Sequence, residues 1–154
     1  MTSARNVEEA LAALGGAFEV VEFPSTTRTA ADAAKAIGCS VAQIAKSIVF
    51  RTASTRQPVM VIASGANRVS EARVAELLGE PIEKADADFV REATGFAIGG
   101  VPPIGHAQPI RTLIDEDLMA LGEIWAAAGT PNSVFRLSAA SLVQMTSGEV
   151  KAIK

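Results

Sequence analysis

The stretch Ser47-Ile48-Val49-Phe50-Arg51, followed by the polar run Thr52 to Gln57 and then by Val59-Met60-Val61-Ile62-Ala63, decides the fold class. Both apolar segments have strand length and branched or aromatic side chains. The short polar connection suits an antiparallel neighbour, because a parallel crossover needs about a dozen residues or more. An antiparallel pair is therefore predicted at the middle of the chain.

Working outward toward the N-terminus, Ser40 with Gln43 opens a helix of one or two turns whose end carries Ala45 and Lys46. Thr29 with Asp32 caps an earlier helix through Ala33, Ala34 and Ile37, closed by Gly38. Asn6 with Glu9 opens a first amphipathic helix that Gly15 and Gly16 end, and Phe18 to Phe23 alternates as a strand stopped by Pro24. Toward the C-terminus, Ser64 to Asn67 is a turn, Ser70 caps a helix ended by Gly79, and Asp86 caps another. Phe96 to Ile98, Ile110 to Ile114 and Val134 to Leu137 read as strands, while Glu123 to Ala128 fits either a strand or a helix. Ser138 opens a last helix that runs to Gly148, and Val150 to Ile153 offers a tail strand. No repeat, low-complexity run or linker interrupts residues 1–154, which predicts one domain. The alternation lacks the regular period of a doubly wound sheet, and no phosphate-binding glycine fingerprint follows the first strand. The class expected is α+β, with a mixed, mostly antiparallel sheet and short surrounding helices.

Composition narrows function. With 49% hydrophobic and 20% charged residues the chain can build a core, and six Phe, one Trp and no Tyr make that core mainly aliphatic. Rows of aromatics for stacking single-stranded bases are not available. A single cysteine, Cys39, makes no internal disulfide and reads as a packing residue, and with the single histidine, His106, it cannot complete a zinc site. Fourteen Lys and Arg against seventeen Asp and Glu give a net charge of −3, wrong for a protein that wraps DNA unaided. Nucleic-acid contact should be local or shared with a partner. Neither a signal-peptide core nor an apolar run of spanning length occurs, so a cytoplasmic, membrane-free protein is expected.

The most constrained segment is Gly99-Gly100-Val101-Pro102-Pro103-Ile104-Gly105-His106. Two prolines fix φ and remove two donors, whereas the glycines open conformations denied to other residues. Consecutive free amides on a rigid loop are suited to a carboxylate, a phosphate or an oxyanion, and a constrained surface turn is the plain alternative. Lys46, beside an apolar strand, is either a snorkelling edge residue or a point charge at the mouth of a cleft. His106 could serve as a general base or could order the loop through a hydrogen bond. Asp115, Glu116 and Asp117 read as a solvated cap on the turn at Leu118.

Taken in order, Thr29-Ala30-Ala31-Asp32-Ala33-Ala34, Ile44-Ala45-Lys46-Ser47-Ile48-Val49-Phe50, the Gly99 to His106 loop and Gly129-Thr130-Pro131-Asn132-Ser133-Val134-Phe135 resemble the YbaK/EbsC family across essentially the whole chain. These are free-standing relatives of the editing domain inserted in bacterial prolyl-tRNA synthetases. The resemblance implies a curved, mostly antiparallel sheet among helices and a deacylase that hydrolyses, in trans, the ester of a mischarged small amino acid on tRNA, with tRNA(Pro) the leading substrate. It implies that Lys46 holds the 3′ adenosine or its phosphate, and that Gly99, Gly100, Val101 and Pro103 belong to the loop that sets amides against the aminoacyl carbonyl. No metal, cofactor or covalent intermediate is implied. Arg28, Thr29, Ile44, Ser64, Gly65, Arg68, His106 and Asn132 are expected around the substrate; many relatives carry a histidine near the position of Asn132. Lys46, Arg28 and Arg68 are expected to grip the acceptor end, and a prolyl-tRNA synthetase is the expected partner. The competing reading is a non-catalytic module binding an aminoacyl-adenosine-like ligand or a protein.

Overall fold

The computed structural model describes residues 20–23, 29–96, 101–104, 106, 110–129 and 133–154. The central hairpin is present as two strands, β2 (Ile44–Thr52) and β3 (Pro58–Ser64), antiparallel from Ala45 opposite Ser64 to Arg51 opposite Pro58. Thr52 ties the connection, its amide donating to the Gln57 carbonyl at 3.0 Å and its hydroxyl accepting from the Gln57 amide at 2.8 Å. The hairpin sits inside an eight-stranded sheet ordered β1-β7-β6-β2-β3-β5-β8, with β4 also on β2. The outer members are β1 (Val20–Glu22), β4 (Ile82–Lys84), β5 (Arg111–Asp115), β6 (Ile124–Ala127), β7 (Ser133–Leu137) and β8 (Glu149–Lys151). Pairings β1·β7, β2·β3, β2·β4 and β6·β7 are antiparallel; β2·β6, β3·β5 and β5·β8 are parallel. The mixed, mostly antiparallel α+β sheet is as expected.

Four helices, α1 (Ala30–Ile37), α2 (Glu71–Leu78), α3 (Ala87–Thr94) and α4 (Ala139–Thr146), begin at side-chain caps on Thr29, Ser70, Asp86 and Ser138. Each cap oxygen accepts an otherwise unpaired first-turn amide, which is why the sequence positions of these starts were legible. Helices cover both faces of β3. On one side Met60 and Ile62 pack with Val90, Phe135 and Leu142; on the other Val61 packs with Phe50, Val74, Leu113 and Ile153. Met60, Val61 and Ile62 are completely buried, so the run has no polar face to alternate with.

Several expectations need correction. The helix predicted from Ser40 is a single 3-10 turn, Val41–Gln43, although its Ser40–Gln43 capping box forms. Ile44 already belongs to the sheet, pairing with Trp125 and accepting from the Gly65 amide at 2.7 Å, so Lys46 lies within β2 and not at a helix end. Phe96 directly follows Gly95, the left-handed cap of α3, and is not in a strand; Ala97 and Ile98 fall outside the described residues, as does the helix expected from Asn6. Glu123 to Ala128 resolves as β6, and β4 had no sequence signal. The acidic cluster is not uniformly solvated. Asp115 is 1% exposed and accepts from the Ser64 amide at 3.0 Å, the Asn67 side chain at 2.8 Å and the Asp117 amide at 2.9 Å. Three donors compensate the burial of this carboxylate.

Because Ile62 has no space into which a truncated side chain could collapse without loss, Ile62→Ala should cost about 2–5 kcal/mol. Urea unfolding monitored by circular dichroism would measure it, and a cost below about 1 kcal/mol would contradict the two-sided packing of β3.

Candidate active site

A cleft of about 510 Å³ opens where α1 faces the first residues of β2 and the strands β6 and β7. Thr29 stands at the start of α1, its hydroxyl accepting from the Asp32 amide at 3.1 Å. Small side chains at Ala30, Ala31 and Ala33 leave room that larger residues would fill, while Ile44 and Trp125 supply apolar wall. Gly65 lines the cleft at a place where a side chain has no room: a Cβ would lie 2.5 Å from the Val41 carbonyl oxygen and 2.8 Å from the Ala30 Cβ. This is a close approach between α1 and the end of β3 that only glycine permits.

Lys46 is half-buried in the cleft wall. The ion pairs among the described residues engage Arg51, Arg111, Arg136 and Lys154, and leave the Lys46 ammonium without a carboxylate. Val101 lines the same cleft. Val101 and Ile104 are 5% and 8% exposed and join the main core, while Pro102 and Pro103 are buried between them. Nε2 of His106 donates to the Pro102 carbonyl at 2.6 Å, closing the loop on itself. Two core anchors, two prolines and this bond constrain the described residues of the segment, 101–104 and 106. Burial holds the His106 ring below its ordinary pKa of 6.5, opposed in part by the bond to Pro102.

Of the residues expected around substrate, Lys46, Thr29, Ile44, Gly65 and Val101 share the cleft. Arg68 lies instead on an adjoining groove, which meets the cleft at Lys46, Ser47 and Val101. Ser64 is not among the lining residues: it is 2% exposed and its hydroxyl donates to the Ala42 carbonyl at 2.8 Å. His106 and Pro103 are not among the residues that line the cleft. Arg28, Gly99, Gly100 and Asn132 fall outside the described residues. Sequence reading missed Ser47, Trp125 and the alanines of α1; the run of small residues after Thr29 was the available signal. Cys39 packs beside α1, and burial pushes its thiol above the usual range, consistent with an inert packing residue. No cluster of three His, Cys, Asp or Glu suited to a metal occurs among the described residues, and no helix there is long and apolar enough to cross a membrane.

The fold and cleft define a class: an α+β domain with a cleft between one helix and the ends of a mixed sheet, lined by a lysine free of carboxylates among the described residues and by Val101 of a proline-containing loop. Residues 24–145 match the aminoacyl-tRNA editing domain. The chain is 30% identical over 132 residues to the uncharacterized protein YwhH of Bacillus subtilis, covering 86% of this chain and 83% of that one. It is 32% identical over 133 residues to a proline–tRNA ligase of Xanthomonas campestris, covering 81% of this chain but 23% of the ligase. A crystal structure described as that of a candidate trans-editing enzyme for prolyl tRNA synthetase superposes with a TM-score of 0.94 at 44% identity, covering 100% of this chain and 98% of that one. This protein belongs to the aminoacyl-tRNA editing domain family, in its YbaK-type trans-editing branch.

Two outcomes follow from the geometry. The Ser47 hydroxyl is buried with no hydrogen-bond partner among the described residues, so Ser47→Ala should raise stability by about 1 kcal/mol in urea titration, whereas a loss would mean the hydroxyl is satisfied in solution. His106 is the only histidine, so its ring resonances titrate alone. Its midpoint should lie below 6.5 in the folded protein and return to about 6.5 on unfolding. Since the unfolded chain then binds the proton more readily, stability should fall as pH drops from about 6.5 through the folded midpoint, and His106→Gln should remove that decline. A folded midpoint above 6.5 would contradict it.

Proposed function

We propose that this chain is a trans-acting aminoacyl-tRNA deacylase that hydrolyses the ester of a small, mischarged amino acid, with tRNA(Pro) as the leading substrate. The observation that carries the reading is the Lys46 ammonium, free of carboxylates among the described residues, at the wall of a mainly apolar cleft that Val101 also lines. A cleft of about 510 Å³ exceeds a lone small amino acid and accommodates one with part of its nucleoside. In this reading Lys46 fixes the 3′ end as a point charge, and the small-residue side of α1 receives the amino-acid side chain.

The chemistry asks little of the protein. Water attacks the carbonyl carbon, a tetrahedral oxyanion forms, the bond to the ribose oxygen breaks, and that oxygen takes the proton. An ester is already activated, so positioning and a donor for the oxyanion suffice. Loop amides are the donors proposed, in keeping with the rigidity His106 and the prolines give. Discrimination by an apolar wall is worth only about 1–3 kcal/mol per methylene, so selectivity relies on excluding larger side chains from the space beside Ala30, Ala31 and Ala33. The likeness to a domain of proline–tRNA ligase and to a trans-editing structure supports tRNA(Pro), and a prolyl-tRNA synthetase is the partner proposed to deliver it.

The deciding experiment charges tRNA(Pro) separately with alanine, cysteine, 2-aminobutyrate, serine and proline. Selective hydrolysis of one small non-cognate ester is expected, with kcat/KM falling at least about 100-fold in Lys46→Ala while its thermal unfolding stays close to wild type. Absence of turnover on all of them, with a synthetase present, would favour a non-catalytic binding module.

A further inference from the structure

The turn from Ser64 to Asn67 carries Gly65 into the cleft wall, and two sets of contacts hold it. One set ties it to residues 42–44: the Gly65 amide donates to the Ile44 carbonyl at 2.7 Å, and the Ser64 hydroxyl donates to the Ala42 carbonyl at 2.8 Å. The other ties it to the end of β5 and the 3-10 turn Glu116–Ala120 that follows. Here the Asn67 side-chain amide donates to Asp115 Oδ2 at 2.8 Å and to Asp117 Oδ2 at 2.7 Å. One NH2 group thus serves two carboxylates, while the Asn67 main-chain amide closes the turn on the Ser64 carbonyl at 2.9 Å.

Burial accounts for only part of this arrangement. The buried Ser64 amide already has Asp115 Oδ2 as its acceptor at 3.0 Å, and Asp115 Oδ1 accepts from the Asp117 amide at 2.9 Å. Asn67 itself is half-buried between exposed Ala66 and Arg68. At such a position water satisfies an amide nearly as well as a side chain does, so two carboxylates converging on it restrain the turn more than polar satisfaction requires. The turn also has no slack toward the cleft. A Cβ at Gly65 would meet the Ala30 Cβ at 2.8 Å and the Val41 carbonyl oxygen at 2.5 Å, so the turn packs directly on α1 and on the 3-10 turn before β2. Any shift of the turn is passed to α1, whose Ala30, Ala31 and Ala33 form the small-residue side of the cleft.

Resting on the deacylase reading, we infer that Asn67, anchored by Asp115, is a positioning residue that sets the width of the cleft through Gly65 and α1, and with it the size of the amino-acid side chain admitted. Asn67 does not line the cleft, so it acts through the turn and not on the substrate. Asp115 suits the anchor because all three of its partners are donors, one on Oδ1 and two on Oδ2. An asparagine at 115 would turn an NH2 group toward one of those donors, so the test leaves Asp115 in place and truncates Asn67. The outer bond of the network, Lys154 Nζ to Asp117 Oδ2 at 2.7 Å, lies on the surface and serves as the control.

The test compares wild type, Asn67→Ala and Lys154→Gln on tRNA(Pro) carrying the amino acid that wild type removes best and carrying its homologue one methylene larger. Thermal unfolding checks that the fold is kept, and Asn67→Ser, which retains a single donor, carries the same expectation at smaller size should the truncation unfold the protein. Against an apolar wall one methylene is worth about 10–200-fold in kcat/KM. Asn67→Ala should lower the ratio of the two kcat/KM values at least about fivefold, and Lys154→Gln should leave it within about twofold. Independently of any ester, deuterium exchange at the Gly65 amide should quicken about tenfold in Asn67→Ala, with exchange at Val61 and Ile62 unchanged. Faster exchange with an unchanged ratio would make Asn67 merely structural and overturn the assignment, as would an equal loss of selectivity in Lys154→Gln. Wild type that hydrolyses no ester, with faster exchange in Asn67→Ala, would sink the deacylase reading and leave the hold on the turn standing. Normal hydrolysis by wild type, with ratio and exchange both unchanged in Asn67→Ala, would sink the positioning role alone.

Discussion

The constraint on which the structure depends is the burial of β3 on both faces. A strand of Val59 to Ala63 without a solvent side must have helices above and below it and a strand along each edge. β2 supplies one edge in antiparallel register and β5 the other in parallel. Slipping β2 by one residue would exchange the faces of its side chains, moving Lys46 from the cleft wall toward the core that Ala45 and Val49 occupy. The position of the lysine is therefore fixed by packing some distance from it. The same burial explains Asp115: the chain leaves β3 at Ser64, and the buried Ser64 amide needs an acceptor, which the carboxylate at the end of β5 provides.

What could be read from the sequence divides along the range of the interactions concerned. Caps at Thr29, Ser70, Asp86 and Ser138 are contacts across three residues, and the left-handed glycines at 38 and 79 are single-residue requirements, so all were legible. The hairpin was legible because its apolar runs and its connection are contiguous. Segments chosen by distant partners were not. Ser40 and Gln43 do form a capping box, yet Gly65 and Trp125, far along the chain, take Ile44 into the sheet before the helix can propagate. β4 is three residues long and exists because Phe50 to Thr52 offers it an edge. Asp115 looked solvated because acidic triplets usually are, and nothing local announces Asn67 and Ser64 as its donors.

The site shows the same division. Lys46 and the loop around Val101 stood out by type and by constraint, and the structure brings both to one cleft with Thr29, Ile44 and Gly65. Ser64 and Arg68 belong to the same turn region but separate by what they face: the Ser64 hydroxyl is taken by the Ala42 carbonyl, and Arg68 lines the adjoining groove. His106 was open to two readings, a general base or a side chain that orders the loop. A lone histidine beside glycines invites a catalytic assignment, but its Nε2 proton is engaged by Pro102 and its burial disfavours the charged form. Both observations favour the second reading, a side chain tied to the backbone of its own loop.

The acidic balance of the chain is compatible with an RNA substrate once charge is considered locally. At physiological ionic strength, exposed charges more than about 8 Å apart are largely screened from one another, so a net charge of −3 spread over the surface has little effect at a particular groove. What counts there is which cations are already neutralised. Arg51, Arg111, Arg136 and Lys154 are each held by a carboxylate, whereas Lys46, Arg68 and Lys84 converge on one groove with Glu71 as the only opposing carboxylate among its described lining residues. The field at this groove is therefore set by three cations and one carboxylate among its described lining residues, and not by the net charge of the chain.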